Sequence, residues 1–305
     1  MAAHASSAEW DDAVNALGRK HPWPSFAFLL VLAVGALLRD PAPAAAQTTD
    51  AAAMRDIAYG PHPRQRFDVY LPARPKGAPT IVYVHGGGWQ RGDKAMRGLI
   101  EAKQRRWTAA GAIVISTNYR LVPDADPVEQ ARDVARAVGK AQALVADLGG
   151  DPDGFVLMGH SAGGHLVALL AASPAMAREF DVKPWRASVL LDAGAIDVVS
   201  RLDGGAPALF DNAFGSDPAF WRAASPLHQL QAKTAPILAV CASLRRDSCD
   251  DNRGFVDKAR GLGGRAELLP KPLSHMQINR DLGEDNAYTR EVEAFLRSVG
   301  VPLRH

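Results

Sequence analysis

The chain has 305 residues and a formal net charge of +2, from 35 basic and 33 acidic side chains; 47% of it is hydrophobic and 22% charged. This composition excludes intrinsically disordered, collagen-like and disulfide-scaffold classes, and the near balance of charge gives no electrostatic basis for binding nucleic acid. Two cysteines cannot build a four-thiolate zinc site, and neither H-E-x-x-H nor a clustered Cys/His pattern occurs, so no metal or cofactor is expected.

Residues 1–46 read as a leader. Ser25–Leu38 (SFAFLLVLAVGALL) is an uncharged apolar run, preceded by Arg19 and Lys20 and followed by Ala44-Ala45-Ala46. The run is shorter than the roughly 20 residues that span a bilayer, but it suits the apolar segment of a secretory signal with a small-residue cleavage site. The expectation is export to the periplasm or beyond, with no stable membrane association once the leader is cleaved; an uncleaved anchor through residues 25–38 is the alternative. Cleavage after Ala46 removes three basic and four acidic residues and leaves 259 residues with a net charge of +3.

One folded domain is expected over residues 47–305. Residues 66–71 (RFDVYL) alternate polar and apolar, as a half-exposed strand does. Thr80–Val84, Ala112–Thr117, Phe155–Met158, Ser188–Leu191 and Ile237–Cys241 are short apolar runs suited to strands buried on both faces, and Ala266–Leu269 is a weaker last strand. Helical stretches fall at 97–110, 128–147, 162–172, 251–261 and 288–298, with Pro127 at a helix start and Gly149-Gly150 as a stop. Such alternation predicts an α/β fold with a mostly parallel sheet covered by helices on both faces. The Gly-, Pro- and Ala-rich stretch 194–235 is expected to hold a short helix and a loop, a minimal cap over one sheet end.

Gly159-His160-Ser161-Ala162-Gly163 matches G-x-S-x-G between a buried strand and a helix, the setting of a nucleophile elbow. The sharp turn lifts the Ser161 hydroxyl above the sheet, and the Ala162 N–H at the helix start can face an oxyanion. The strand at 80–84 ends in His85-Gly86-Gly87-Gly88-Trp89, an HGGG-type loop, with Gly87 and Gly88 as the expected amide donors and Gly86 as a third. His85 is read as pinning the loop. Trp89 either walls a substrate pocket or packs on the loop.

These motifs, with NYRL at 118–121, LGGDPDGFVLMGHSAGGH at 148–165 and ASPL at 224–227, resemble the α/β-hydrolase superfamily. The branch they look most like is that of small esterases similar to hormone-sensitive lipase, arylformamidases and bacterial feruloyl esterases. From about Tyr70 onward the resemblance implies an eight-stranded, mostly parallel sheet, a Ser–Asp–His triad in that chain order, and a carboxylic ester or a formamide as the small-molecule substrate.

His275, after the last strand and before the C-terminal helix, is the expected base. His165 lies within the helix leaving the elbow, His228 in a loop after ASPL, and His305 at the end of the sequence. The acid is expected after the strand ILAVC. There the chain reads CASLRRDSCDD, and Asp247 is chosen over Asp250 and Asp251, which suit a helix's acidic first turn. Cys241 and Cys249 bracket Asp247. In an oxidising compartment they can pair and pin this loop, contributing about 2.5 kcal/mol by loop entropy. Tyr119 and Arg120 are read as packing and a salt bridge, and Trp185, Phe210, Phe214 and Trp221 as a cover for the sheet. An arylformamidase or amidase would use the same triad, and a non-catalytic homologue is the reading from a different class.

Overall fold

The computed structural model describes residues 53–205, 208–245 and 247–304; the leader read at residues 1–46 lies outside them. In chain order the elements begin β1 (Ala53–Ala58), β2 (Arg66–Tyr70), β3 (Thr80–Val84), α1 (Glu101–Ala109), β4 (Ile113–Thr117), α2 (Pro127–Asp147) and β5 (Phe155–His160). They continue with α3 (Ala162–Ala172), α4 (Pro174–Arg178), β6 (Ala187–Leu191), α5 (Val198–Asp203), α6 (Ala208–Phe214), α7 (Pro218–Ala223) and α8 (Pro226–Gln229). The last are β7 (Ile237–Ala242), α9 (Ser248–Gly261), β8 (Ala266–Lys271), α10 (His275–Arg280) and α11 (Ala287–Ser298).

The strands form one eight-stranded sheet in the order β1-β2-β4-β3-β5-β6-β7-β8. β1–β2 and β2–β4 pair antiparallel, and every later pair is parallel. Successive side chains of one strand serve opposite faces, which is why the buried strands carry continuous apolar runs. In β3, Val82 and Val84 pack on the face that α2 and α3 cover, while Ile81 and Tyr83 join Trp107 of α1, Ile278 of α10 and Val292 and Leu296 of α11. Each such side chain, fully buried, contributes on the order of 1.5–3 kcal/mol.

Helix α2 begins where the sequence marks it. Asp126 accepts from the N–H groups of Val128 and Glu129, and Pro127 occupies the first helical position, where no donor is lost. Behind it, Arg120 makes a two-pronged pair with buried Asp133 at 2.7 and 2.8 Å, while Tyr119 is wholly buried.

Among the described residues the elements differ from expectation at four places, the first being α4, a short helix that no expected stretch covered. β1 is an additional edge strand. The 194–235 stretch holds four short helices, α5 to α8, rather than one. A six-residue helix, α10, begins at His275 itself. Among the described residues no helix is long and apolar enough to cross a membrane.

Candidate active site

The parallel register sets the site. Val84 of β3 lies opposite Gly159 of β5, and His160 of β5 opposite Leu191 of β6, so the carboxyl ends of three central strands finish side by side. Loops leaving such ends converge on one crevice.

Ser161 is the turn between β5 and α3, with φ 55° and ψ −119°. A serine held at positive φ is strained, and the surrounding packing must enforce it. It does so through two glycines: a Cβ on Gly159 would lie 2.2 Å from the Gly163 carbonyl oxygen, and one on Gly163 would lie 2.3 Å from that of Val84. Only bare backbone lets strand, turn and the glycine loop after β3 approach this closely.

His275 Nε2 lies 3.0 Å from Ser161 Oγ. Its Nδ1 lies 2.5 Å from Asp192 Oδ2. Asp192 follows β6 directly and is completely buried. Burial alone would raise its carboxyl, but the imidazole, the Ala242 N–H, Arg245 and Ser248 outweigh that and pull it down to about 2. An ionised Asp192 makes Nδ1–H the donor, which leaves Nε2 to accept from the serine hydroxyl.

The expected acid, Asp247, is not at the imidazole. It caps α9 with φ 65° and an exposed side chain that bonds no helix amide. It lines a cavity of about 250 Å³ with Asp197, Ser200, Arg201, Gly204, Gly205 and Asp251. Asp250 is exposed on the first turn of α9, and Asp251 pairs with Arg201. The turn after β7 instead wraps around Asp192, so the carboxylate comes from the neighbouring strand. A sequence signal was present: LLDAG places an aspartate at the carboxyl end of a buried strand, one strand before ILAVC. Sγ of Cys241 and Cys249 are bonded at 2.06 Å.

His275 is the first residue of α10. Ser274 and Gln277 form a capping box there, so this histidine rides on a capped helix rather than on a free loop. His160 Nε2 donates to the His275 carbonyl at 3.0 Å; burial lowers the His160 imidazole to about 3 and keeps it neutral. On the opposite side, Gly87 and Gly88 have positive φ, 126° and 59°. Among the described residues, the amides of Gly87, Gly88 and Ala162 donate no internal hydrogen bond. His85 stacks on Tyr119 and donates from Nδ1 to the Gly86 carbonyl, pinning the loop.

Trp89 is 2% exposed, and this corrects its reading as a pocket wall. Its positive φ of 62° turns the ring inward, where it meets Phe210 and Phe214 and donates to His165 Nδ1 at 3.2 Å. His165 in turn donates from Nε2 to the Ala224 carbonyl at 2.8 Å, tying the short helices to α3. Leu209 of α6, not Trp89, abuts the glycine loop after β3: a Cβ on Gly88 would lie 2.8 Å from its Cδ1. Among the described residues no group of His, Cys, Asp and Glu could hold a metal ion.

A family model named BD-FAE matches residues 67–243, more than half of the chain and inclusive of both glycine loops and Asp192. The chain belongs to the BD-FAE family. This places it in the small-esterase branch of the α/β-hydrolases, as its motifs suggested. Among curated relatives, Esterase LipC of Mycobacterium tuberculosis is 28% identical over 229 residues, covering 68% of this chain and 55% of that one. Kynurenine formamidase of Danio rerio is 29% identical over 146 residues, covering 48% and 47%. The BD-FAE chain spans about a quarter to about half of the length of the curated relatives it matches. Among solved structures, apo Thermogutta terrifontis esterase 2 superposes with a TM-score of 0.68 at 23% identity, over 85% of this chain and 98% of that one, which establishes the α/β-hydrolase fold.

Proposed function

We propose that the protein is a serine esterase that hydrolyses small carboxylic esters through an acyl-enzyme. The observation that carries this reading is the array Ser161 Oγ–His275–Asp192, with contacts of 3.0 and 2.5 Å; the amides of Gly87, Gly88 and Ala162, which donate no internal hydrogen bond among the described residues, support it. Ser161 Oγ attacks the ester carbonyl while its proton passes to His275 Nε2. The three amides receive the oxyanion, and Asp192, ionised, stabilises the imidazolium and fixes its ring. The imidazolium then protonates the leaving alkoxide. Water, deprotonated by the same Nε2, releases the acid and regenerates the serine. Ser161→Ala is expected to abolish the burst of p-nitrophenol from p-nitrophenyl acetate; a retained burst would end this assignment.

A formamidase is the second reading, supported by the similarity to kynurenine formamidase, because the same array can attack a formamide carbonyl. Turnover of formanilide alongside phenyl acetate separates the two. The Cys241–Cys249 disulfide supports export to an oxidising compartment. Sequencing the amino terminus of protein recovered from the periplasm tests this, with residue 47 as the expected first residue.

A further inference from the structure

Asp192 is held by far more than the imidazole. Its Oδ1 accepts from the Ala242 N–H at 2.9 Å and from the Ser248 hydroxyl. Its Oδ2 faces His275 Nδ1 and forms an ion pair with Arg245 Nη1 at 3.4 Å, and that same Nη1 lies 3.1 Å from His275 Nδ1. Three of these four groups come from one short stretch: Ala242 ends β7, Arg245 lies in the turn that follows, and Ser248 opens α9. A buried carboxylate with this many donors is fixed in both position and charge.

Among the described residues, the other bonds on this stretch are few: the Ser243 hydroxyl donates to the Lys271 carbonyl, and the Asn252 amide to the Ser248 carbonyl. Leu244 is 68% exposed, and Asp247, the N-cap of α9, makes no side-chain cap bond. Ser243 N–H reaches the Lys271 carbonyl and Arg245 N–H the Ala242 carbonyl. What closes the turn is covalent: Cys241, buried in β7, is bonded across eight positions to half-buried Cys249 in the first turn of α9.

Resting on the acyl-transfer reading above, we propose that Ser248 is a positioning residue for Asp192 and that the Cys241–Cys249 disulfide keeps it there, so that reduction of this bond lowers the activity of the triad. The reductant is a dithiol. Its thiolate attacks Cys249 Sγ, the more accessible sulfur; the S–S bond breaks, and its electron pair leaves on Cys241 Sγ, which takes up a proton. The second thiol then attacks the mixed disulfide and releases Cys249 as a thiol, and the reagent departs as a cyclic disulfide. Two electrons and two protons have entered the protein. Ala242 stays in β7, but Ser248 and Arg245 lose their register, and Asp192 keeps only the Ala242 amide and the imidazole. The imidazole is then aimed less well at Ser161, and small misplacement of a catalytic group is costly.

The test uses the full chain and p-nitrophenyl acetate. Ser248→Ala is expected to lower kcat about tenfold with KM within about twofold of wild type, and Ser248→Thr, which keeps a hydroxyl, to restore most of the loss. Dithiothreitol is expected to lower wild-type kcat by a similar factor, reversibly on reoxidation, and to leave the already slow Cys241→Ser/Cys249→Ser variant unchanged. Near-UV circular dichroism follows the fold throughout. If Ser248→Ala keeps kcat within about twofold, the positioning role is overturned. A loss that Ser248→Thr does not rescue and that accompanies a lost near-UV signal also overturns it, in favour of a purely structural serine. Full kcat in reduced protein with two titratable thiols overturns the redox part. An active Ser161→Ala would defeat the acyl-transfer reading itself; an inactive Ser161→Ala beside a fully active Ser248→Ala defeats only the role given to this turn.

Discussion

Asp192 and Asp247 are the same residue type near the same loop, and their surroundings separate them. Asp192 is buried, bonded to an imidazole and a backbone amide, and ionised down to about pH 2; Asp247 is exposed at a helix end. Asp192→Asn is therefore expected to lower kcat by about 10⁴, because the amide favours the wrong imidazole tautomer. Asp247→Ala is expected to stay within about threefold of wild type; steady-state kinetics on p-nitrophenyl acetate measures both. Ser161 and His275 were legible because each is marked by its local setting: glycines two positions either side of the serine, and a last strand before the histidine. Asp192 was harder to read, since the one mark it carries, an aspartate at the carboxyl end of a buried strand, does not say which histidine it faces. It stands 83 residues from His275, and only the sheet brings them together. Trp89 was half legible: its place on the glycine loop could be read, whereas the inward turn of its ring depends on a positive φ that sequence does not announce.

At the scale of elements, the strands were the readable part, because a strand buried on both faces must be apolar throughout and few other elements look like that. Helix α10 was missed because six residues are too few to show a helical period. Its ordering comes from outside. Tyr288 donates to the Ile278 carbonyl, Tyr83 to the Asn279 side chain, and the Lys103 ammonium to the Asn279 and Leu99 carbonyls. Lys103 is fully buried, and burial pushes it down to about 7. Below that pH both folded and unfolded chains are protonated and the full cost of burying the charge persists. Between about pH 7 and 10 the unfolded chain holds a proton that the folded one lacks, so stability from this group rises with pH. Urea titrations at pH 7, 8 and 9 are expected to show wild type gaining about 1 kcal/mol per pH unit over Lys103→Met; parallel curves would refute it.

For the whole molecule the acid side is governed by histidines. Burial lowers His85 and His165 to about 4 and His160 to about 3, and all three are neutral in the fold. Unfolding between pH 6.5 and 4 lets each take up a proton, so stability falls as pH drops through that window. Calorimetry in buffers of different ionisation enthalpy is expected to find an uptake of about three protons near pH 5. Seven strands of the sheet were legible from alternation, the last of them as the weaker candidate at Ala266–Leu269, and the resemblance implied eight; the edge strand β1 was not read, and the two margins of the sheet bear on how the molecule behaves in a crowd. At one margin the register of β1 against β2 shifts between Met54 and Ile57, with Asp56 at φ 54°. At the other, β8 carries Glu267, Pro270 and Lys271, the first paired with Arg265 and the last with Glu291. A bulge, a residue with no N–H to offer and charges on an outer strand all deny a passing chain a ladder to extend. Pro270→Val, which restores that donor and adds a β-former, is expected to hasten aggregation on mild heating as followed by light scattering, with esterase turnover before heating unchanged. The margins of the sheet thus act as gatekeepers of solubility, remote from the crevice where the chemistry is proposed.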